Sequence, residues 1–365
     1  MRSPDGENRV SNEQLRTLDA RMVEAGLTRA PRRHSIGSLR RFDRAAPDEL
    51  RTPAPALCVA ANGVAWLPVP QWEKFPWLWH GFSTRRGGLS RAYCPEDTPG
   101  ELNLGLTADD SREAVLQNRR LFAQAVTGDP ATPLVTIRQF HSNVVVHAVA
   151  SDADRGRPSK AGVPSDRSSS LGWKADGLMT DDPGLLLGVL TADCIPVLVA
   201  DRKRRAVAAF HAGWRGTVKR IVESGVGRMR LEFGSRPEDL VAAIGPGAAP
   251  CCYAVGEEVL SAFESQFAYA RELFIEVSSA DPVRIKYPML FLTQRAPGHS
   301  VIGPALHVDL IEANRRQLLA AGLKPAAIQR IGGCTCCQPE LFFSHRGSQG
   351  RAGRMMAVIG LRPSR

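Results

Sequence analysis

Three short segments carry side chains that could form a metal site. They contain His141, Cys194 and His211, within the stretches Gln-Phe-His-Ser, Thr-Ala-Asp-Cys and His-Ala-Gly-Trp-Arg-Gly. Two imidazoles and one thiolate form a nitrogen-and-sulfur ligand set that suits zinc. Three protein ligands leave the fourth tetrahedral position open, which is typical of a catalytic rather than a structural zinc. The sequence therefore predicts an enzyme with a catalytic metal.

Apolar runs precede two of these ligands and predict strands that position them. Cys194 follows the run 185–190, and His211 follows the run 206–210. If the two runs are adjacent strands, both ligands emerge near strand ends, where rigid elements support functional groups. Each ligand taken alone is a weak signal, because a histidine or cysteine beside a strand is more often a packing residue. The prediction of a metal site therefore depends on the segments around the three ligands.

Glycine-rich turns with arginines predict an anion-binding neighbourhood. Arg215 lies in the turn after His211, before a predicted helix whose N-terminus would favour an anion. Arg85 lies in a second such turn, where its guanidinium could bind phosphate or carboxylate with two parallel hydrogen bonds. A solvated loop arginine is an equally good interpretation of Arg85. Asn103 could supply amide hydrogen bonds nearby.

Hydrophobic periodicity predicts mixed secondary structure. Helices are expected over 110–127, with Ser111 as N-cap, and over 217–233 and 309–321. Buried strands are expected in the runs 144–149, 185–190, 206–210, 240–244 and 355–359. Because helices and strands do not alternate as regular βαβ repeats, the pattern favours an α+β fold with layered sheets.

Composition divides the chain into three parts. Residues 1–60 are rich in Arg, Pro and acidic residues and are expected to form a flexible leader. Residues 61–365 are expected to form the catalytic domain. Within this domain, 151–172 contains several Gly, Pro and Ser residues, and we expect an exposed, disordered loop insert there.

Charge and hydropathy limit the classes of partner. The net charge is +10, but the arginines are scattered and few aromatics lie among them, so nucleic-acid binding is not the expected function. No apolar run is long enough to span a bilayer, and the N-terminus has no apolar signal segment. A cytoplasmic location without membrane partners is the expectation. The oligomeric state is not predicted.

The eight cysteines are expected to be reduced thiols or metal ligands. Cys334 and Cys337 form a C-x-x-C motif that could be redox-active or bind a second metal. Cys251 and Cys252 form a vicinal pair, for which packing or pocket lining is the preferred interpretation. Since no second C-x-x-C lies at zinc-ribbon spacing, a structural zinc is not favoured.

An ordered series of motifs resembles the YfiH-type laccase-domain family. The matching segments are 80–85, 103–106, 139–142, 175–177, 190–197, 211–216, 244–256, 307–310, 334–335 and 339–344. Members of that family were first named multicopper polyphenol oxidoreductases and later recognised as zinc-dependent purine nucleoside enzymes. The resemblance implies an α/β/β/α layered sandwich with mixed sheets. It also implies zinc held by His141, Cys194 and His211.

The same resemblance implies phosphorolysis of adenosine, inosine, guanosine and methylthioadenosine with inorganic phosphate, together with hydrolytic deamination of adenosine. Position within the motifs suggests catalytic or ligand-orienting roles for Asp176 and Asp193, with Cys194 as a third catalytic residue. The residues predicted to bind substrate or phosphate are Arg85, Asn103, Gln139, Arg215, His307 and Arg346.

Three other functions remain open from the sequence. A copper-dependent polyphenol oxidase is disfavoured, because a full copper set needs more histidine than the eight in this chain. A hydrolase that edits peptidoglycan precursors would use Cys194 as nucleophile and His211 as base. A zinc-stabilised interaction protein is the non-enzymatic alternative, although an open ligand position argues against it.

Overall fold

Two β-sheets stacked face to face form the centre of the molecule. The computed structural model describes residues 39–42, 56–149, 170–277 and 305–363. Long-range strand pairings assemble these segments into three sheets, and the two larger sheets share one buried interface. The ends of the strands in this stack position the candidate site.

The larger sheet has seven strands in the spatial order β2-β3-β4-β18-β10-β6-β8. In chain order these strands are β2 (Cys58–Val59), β3 (Ala65–Leu67), β4 (Leu78–Ser83), β6 (Leu134–Arg138), β8 (Ser170–Lys174), β10 (Leu186–Thr191) and β18 (Met355–Leu361). Strands β6 and β10 are parallel, whereas β10 and β18 are antiparallel, so the sheet is mixed.

The second sheet has six strands in the order β17-β13-β11-β12-β9-β7. They are β7 (Val145–His147), β9 (Gly177–Thr180), β11 (Ile195–Asp201), β12 (Ala206–Ala212), β13 (Leu240–Ile244) and β17 (Ile328–Arg330). Every residue of β11 and β12 is buried. Their continuous apolar sequence is typical of strands that are covered on both faces.

A smaller four-stranded sheet lies beyond the second one. It is formed by β1 (Arg40–Phe42), β14 (Ala254–Val255), β15 (Phe274–Val277) and β16 (Ala305–Val308). A further strand, β5 (Arg86–Ser90), makes only isolated bridges to Glu101.

Five α-helices cover the sheets in the described part of the chain. They are α1 (Arg112–Thr127), α2 (Trp214–Val218), α3 (Ile221–Phe233), α4 (Glu257–Glu264) and α5 (Leu310–Ala320). Short 3-10 turns occur at Pro70–Trp72, Pro237–Asp239, Ala270–Leu273 and Pro325–Ala327. The predicted N-cap of α1 is confirmed, because the Ser111 hydroxyl accepts a hydrogen bond from the Ala114 amide. Asp309 caps α5 in the same way through the amide of Glu312.

Alternating side chains divide the core into layers. In β11, Leu198 and Ala200 face the other large sheet, whereas Val197 and Val199 pack on the side of α3 and α5. Helix α1 covers the outer face of the seven-stranded sheet through residues such as Phe122. The order helix, sheet, sheet, helix confirms the predicted α/β/β/α layering.

The structure corrects three details of the sequence-based predictions. The runs 185–190 and 206–210 are not neighbouring strands, because β10 and β12 belong to different sheets. The helix predicted over 217–233 is two helices, since Arg220 adopts a left-handed φ of 60° between them. Residues 170–172 begin strand β8, so the predicted loop insert ends earlier.

Parts of two predictions lie outside the described residues. The remainder of the insert, residues 151–169, is among them, as is most of the predicted leader. Within that leader, however, Arg40–Phe42 pairs with β15 and Cys58–Val59 pairs with β3. No helix in the described residues is long and apolar enough to cross a membrane.

Candidate metal centre

The three predicted ligands come together near the ends of strands. His141 lies three residues beyond the end of β6, and Cys194 directly precedes β11. His211 lies in β12, where it pairs with Pro196 of β11. Cys194 and His211 therefore meet because β11 pairs with β12, not because the run 185–190 lies beside the run 206–210.

The ligand atoms of these residues form one compact cluster. The ligand atoms of His141, Cys194 and His211 all lie within 4.8 Å of one another. The Cys194 Sγ is 4.0 Å from the His141 Nε2, and the two imidazole rings are 5.2 Å apart, edge to face. His211 is buried, whereas His141 and Cys194 are partly exposed. The cluster is therefore accessible from one side.

Asp176 fixes the orientation of the buried histidine. This carboxylate is fully buried, and its Oδ1 lies 2.8 Å from the His211 Nδ1. Its oxygens also accept hydrogen bonds from the amides of Phe140, His141 and Ser142, and from the Ser142 hydroxyl. A carboxylate behind a ligating histidine fixes the tautomer and directs the other ring nitrogen at the metal. Asp176 thus connects the loop that carries His141 to His211 through hydrogen bonds.

The charges in the cluster favour a thiolate beside an imidazolium when no metal is bound. Burial alone would raise the pKa of Cys194, but the charge of His211 and hydrogen bonds from both histidines lower it to about 6. Burial alone would lower the pKa of His211, but the Cys194 thiolate and Asp176 raise it to about 9. The pKa of Asp176 falls to about 2, because hydrogen bonds from His211 and Ser142 outweigh its burial. A thiolate is the form of cysteine that binds metals.

Unusual backbone conformations surround the ligands. His141 has φ 63° and Asp193, which precedes Cys194, has φ 88°. Such left-handed conformations are uncommon outside glycine and concentrate at functional sites. Gly213 adds a steric constraint, because a Cβ at this position would lie 2.8 Å from the Cys194 Sγ and 2.9 Å from the His141 Cδ2. Only glycine leaves the two ligands room to converge.

Asp193 connects the cluster to two later segments. Its carboxylate accepts hydrogen bonds from the Thr335 hydroxyl and the Arg346 amide, each at 2.7 Å. Its backbone oxygen accepts from the Ala248 amide at 2.8 Å. Both carboxylate oxygens are therefore engaged, which favours a positioning role for Asp193.

Three of the predicted substrate-binding residues are engaged in protein contacts. Arg85 pairs with Glu101 at 2.6 Å and donates to the carbonyl oxygen of Pro339. Asn103 is buried and bonded to Gly105, Asp110 and Arg354, and Gln139 bonds to both backbone groups of Leu190. This geometry favours structural roles, and substrate binding by Arg85, Asn103 and Gln139 stays a prediction.

The other three predicted residues, Arg215, Arg346 and His307, are close to Tyr253 or to the loop that precedes it. Arg215 is exposed and its guanidinium stacks 4.3 Å from the Trp214 ring. Arg346 is exposed and lies 5.0 Å from the ring of Tyr253. The Nδ1–H of His307 donates a hydrogen bond to the carbonyl oxygen of Pro250 at 2.7 Å. Burial, followed by the charge of Arg346, lowers the pKa of His307.

Tyr253 belongs to this site but was not predicted. Burial, followed by the charges of Cys194 and Asp193 and opposed by those of Arg346 and Arg215, raises its pKa to about 12. The hydroxyl is therefore protonated near neutral pH and within electrostatic range of the cluster. The sequence signal was its place beside the Cys251-Cys252 pair, inside a motif used only for the family resemblance.

The fold and the site define a class of protein. It is an α/β/β/α sandwich with an open cluster of two histidines and one cysteine at the ends of its central strands. The chain belongs to the family described as multi-copper polyphenol oxidoreductase laccase, which matches residues 79–362.

Relatives named purine nucleoside phosphorylase and solved structures agree with this assignment. The chain is 34% identical to purine nucleoside phosphorylase YlmD of Geobacillus stearothermophilus over 77% of this chain and 89% of that protein. It is also 34% identical to a purine nucleoside phosphorylase of Deinococcus radiodurans, over 77% of this chain and 88% of that one. The crystal structure of YlmD from Geobacillus stearothermophilus superposes with a TM-score of 0.65 at 30% identity, covering 85% of this chain and 100% of that chain. The structure of Bacillus licheniformis YfiH gives a TM-score of 0.66 at 29% identity, covering 84% and 99% of the two chains.

Proposed function

We propose that this chain is a zinc-dependent purine nucleoside phosphorylase. It cleaves adenosine, inosine, guanosine and methylthioadenosine with inorganic phosphate, giving the free base and a pentose 1-phosphate. It also deaminates adenosine by hydrolysis. One observation carries the proposal: an open cluster of two histidines and a cysteine, backed by Asp176, in a chain whose relatives are named purine nucleoside phosphorylases.

The donor set fits zinc better than a copper oxidase. His141, Cys194 and His211 would hold one ion and leave one position open. The description of the family suggests copper, and two histidines with one cysteine also occur in blue-copper sites. A multicopper oxidase requires further histidine clusters, and the described residues contain no second cluster with histidine. When bound, the zinc ion supplies Lewis acidity at the open side of the cluster.

Cationic side chains at the open side can hold inorganic phosphate. Arg215 and Arg346 both lie within electrostatic range of Tyr253 and are exposed. Neither makes an ion pair with a carboxylate in the described part of the chain, so both guanidiniums are free to bind an anion. Two guanidiniums provide directed, charge-assisted hydrogen bonds to phosphate oxygens.

Other residues can bind and orient the nucleoside. Phe140, which adjoins His141, is 48% exposed and can stack on a purine base. The protonated Tyr253 hydroxyl can donate a hydrogen bond to the substrate. Asp176 does not act as an acid or base in this proposal, because its oxygens already accept five hydrogen bonds and orient His211.

The proposal is tested by identifying products. Zinc-loaded protein is incubated with adenosine, inosine and methylthioadenosine, with and without phosphate, and the products are identified by mass. Phosphate-dependent release of base with pentose 1-phosphate supports phosphorolysis, and inosine formed from adenosine without phosphate supports deamination. No product from any nucleoside under either condition would reject the proposed function.

A matched pair of variants locates the phosphate site. Arg215→Gln removes a charged hydrogen-bond donor worth about 1.5–3 kcal/mol, so the KM for phosphate should rise roughly tenfold or more. Deamination of adenosine, which uses no phosphate, should change less than about twofold. Arg228→Gln is the control, because this arginine pairs with Glu232 on the surface of α3. An unchanged KM for phosphate in Arg215→Gln would exclude Arg215 from the phosphate site.

A cysteine hydrolase is the second candidate function. The Cys194 Sγ lies 4.0 Å from an imidazole nitrogen of His141, and the lowered pKa of this thiol favours a nucleophilic thiolate. The two functions predict opposite responses to metal removal. Activity lost with a chelator and restored by zinc supports the metal role of Cys194. Activity that survives chelation but is abolished by a thiol alkylating agent supports the nucleophile.

A further inference from the structure

Four cysteines outside the candidate catalytic centre form a second cluster. The Sγ atoms of Cys251, Cys252, Cys334 and Cys337 all lie within 4.8 Å of one another. Cys251 and Cys334 are buried, Cys252 is partly exposed and Cys337 is exposed. The cluster was not expected, because 81 residues separate Cys252 of the vicinal pair from Cys334 of the C-x-x-C motif.

Parallel strand pairing brings the two pairs of cysteines together. Strands β13 and β17 are parallel neighbours, so the loops that follow them leave the same edge of the sheet. One loop carries Cys251 and Cys252, and the other carries Cys334 and Cys337. A backbone bridge between Gly247 and Cys334 holds the two loops in register. The pairing of the backbone therefore brings the two pairs of cysteines to the same edge of the sheet.

The distances fit one tetrahedrally coordinated ion. The Cys337 Sγ is 3.4 Å from both the Cys251 Sγ and the Cys252 Sγ. Four thiolates at about 2.3 Å from a central zinc would lie roughly 3.8 Å apart. A disulfide joins only two sulfurs, at about 2.05 Å, and does not explain why one thiol lies equally close to two others. The amide of Ala249 also donates to the Cys334 Sγ at 3.5 Å, which stabilises negative charge on that sulfur.

We propose that Cys251, Cys252, Cys334 and Cys337 bind a structural zinc ion, distinct from the ion of the catalytic centre. Four protein ligands close the coordination sphere, which is typical of structural rather than catalytic zinc. Binding deprotonates the four thiols and releases their protons to solvent. The site takes a thiophilic divalent cation and no substrate.

This second ion would hold the open side of the catalytic cluster in place. It cross-links the loop that continues into Tyr253 to the loop that continues towards Arg346. Both loops already meet at Asp193, through the Ala248 amide on one side and the Thr335 hydroxyl on the other. Loss of the ion would therefore loosen Tyr253 and Arg346 relative to the catalytic centre.

Metal content tests the proposal on the full-length protein. Protein purified under reducing conditions is dialysed against metal-free buffer, and zinc is measured per chain. We expect about two zinc ions per chain in the unaltered protein and about one in Cys337→Ser. Cys58→Ser is the matched control, because this exposed cysteine lies on β2 outside both clusters, and it should retain two.

Cobalt replacement assigns the two ions to their sites. Cobalt-substituted protein should show the visible absorption of a tetrathiolate centre, and Cys337→Ser should lose that absorption while remaining folded by circular dichroism. His211→Ala should retain it while losing the other ion. One zinc per chain in the unaltered protein and in Cys337→Ser would overturn the proposal. An intact mass lower by two hydrogens, showing a disulfide among these cysteines, would overturn it as well.

Discussion

Adding one methyl group at position 213 tests the convergence of the ligands. A Cβ there would lie 2.8 Å from the Cys194 Sγ and 2.9 Å from the His141 Cδ2. Ordinary contacts between such atoms are about 3.5–4.0 Å, so Gly213→Ala must displace the two ligands by roughly 0.7 Å or more. The backbone at Gly213 has φ −69°, which alanine adopts without strain. The effect therefore comes from steric contact with the ligands.

The expected magnitude follows from the cost of overpacking. Inserting a methyl group into a tightly packed site costs about 1–3 kcal/mol. Metal sites tolerate ligand displacements of only about 0.2 Å, so most of this cost should weaken metal binding. At 1.4 kcal/mol per tenfold change, we expect zinc affinity to fall roughly tenfold to 100-fold.

Competition with a chromogenic chelator measures the change in affinity. Gly216→Ala is the matched control, because it lies in the short helix that begins directly after Gly213. Its added Cβ would meet the carbonyl oxygens of Ser142 at 3.1 Å and His211 at 3.5 Å, and none of its nearest atoms is a metal-binding side-chain atom. The control should bind zinc within about threefold of the unaltered protein. If the zinc affinity of Gly213→Ala is also within about threefold of that of the unaltered protein, His141 and Cys194 do not bind the same ion.

Three further changes have defined outcomes. Asp176→Asn removes the carboxylate behind His211, and zinc affinity measured by chelator competition should fall roughly 10–100-fold; an unchanged affinity would contradict the orienting role. Burial, followed by the charge of Arg362, lowers the pKa of His80 to about 4. The unfolded chain, with a pKa near 6.5, therefore binds the extra proton first, and stability is lost as the pH falls from the unfolded towards the folded value. Between about pH 7 and about pH 5 the free energy of unfolding, measured with urea, should fall by about 2 kcal/mol because of His80. His80→Asn should remove this part of the dependence of the free energy of unfolding on pH. If the free energy of unfolding of the variant falls equally steeply with pH, other groups cause the loss. Phe140→Ala should raise the KM for nucleosides about tenfold, since base–aromatic stacking contributes about 1–3 kcal/mol, with kcat changed less; an unchanged KM would remove Phe140 from the base site.

Local signals were sufficient to predict much of the fold. The helix at Arg112–Thr127 carries its own N-cap and periodic apolar face, so residues close in sequence determine it. The first and last residues of strand Leu240–Ile244 were predicted correctly, because this short apolar run lies between polar segments. The three ligands were found because their residue types and motifs are recognisable without knowledge of the fold.

Long-range pairing determined what the sequence did not reveal. Nothing local shows that β10 and β12 lie in different sheets, because both are continuous apolar runs. The position of Tyr253 within electrostatic range of Cys194 depends on the loop that follows β13. The second cysteine cluster depends on the pairing of β13 with β17. The structural roles of Arg85 and Asn103 could not be predicted from neighbouring residues either, because their hydrogen-bond partners are far away in the sequence.

We propose that a zinc ion held by His141, Cys194 and His211 supports phosphorolysis. The most direct measurement is the phosphate-dependent cleavage of inosine by metal-stripped protein, by the same protein after zinc is restored, and by His211→Ala with added zinc. We expect activity only in the second sample, with hypoxanthine and ribose 1-phosphate formed in equal amounts. Full activity in the stripped protein or in His211→Ala would contradict it.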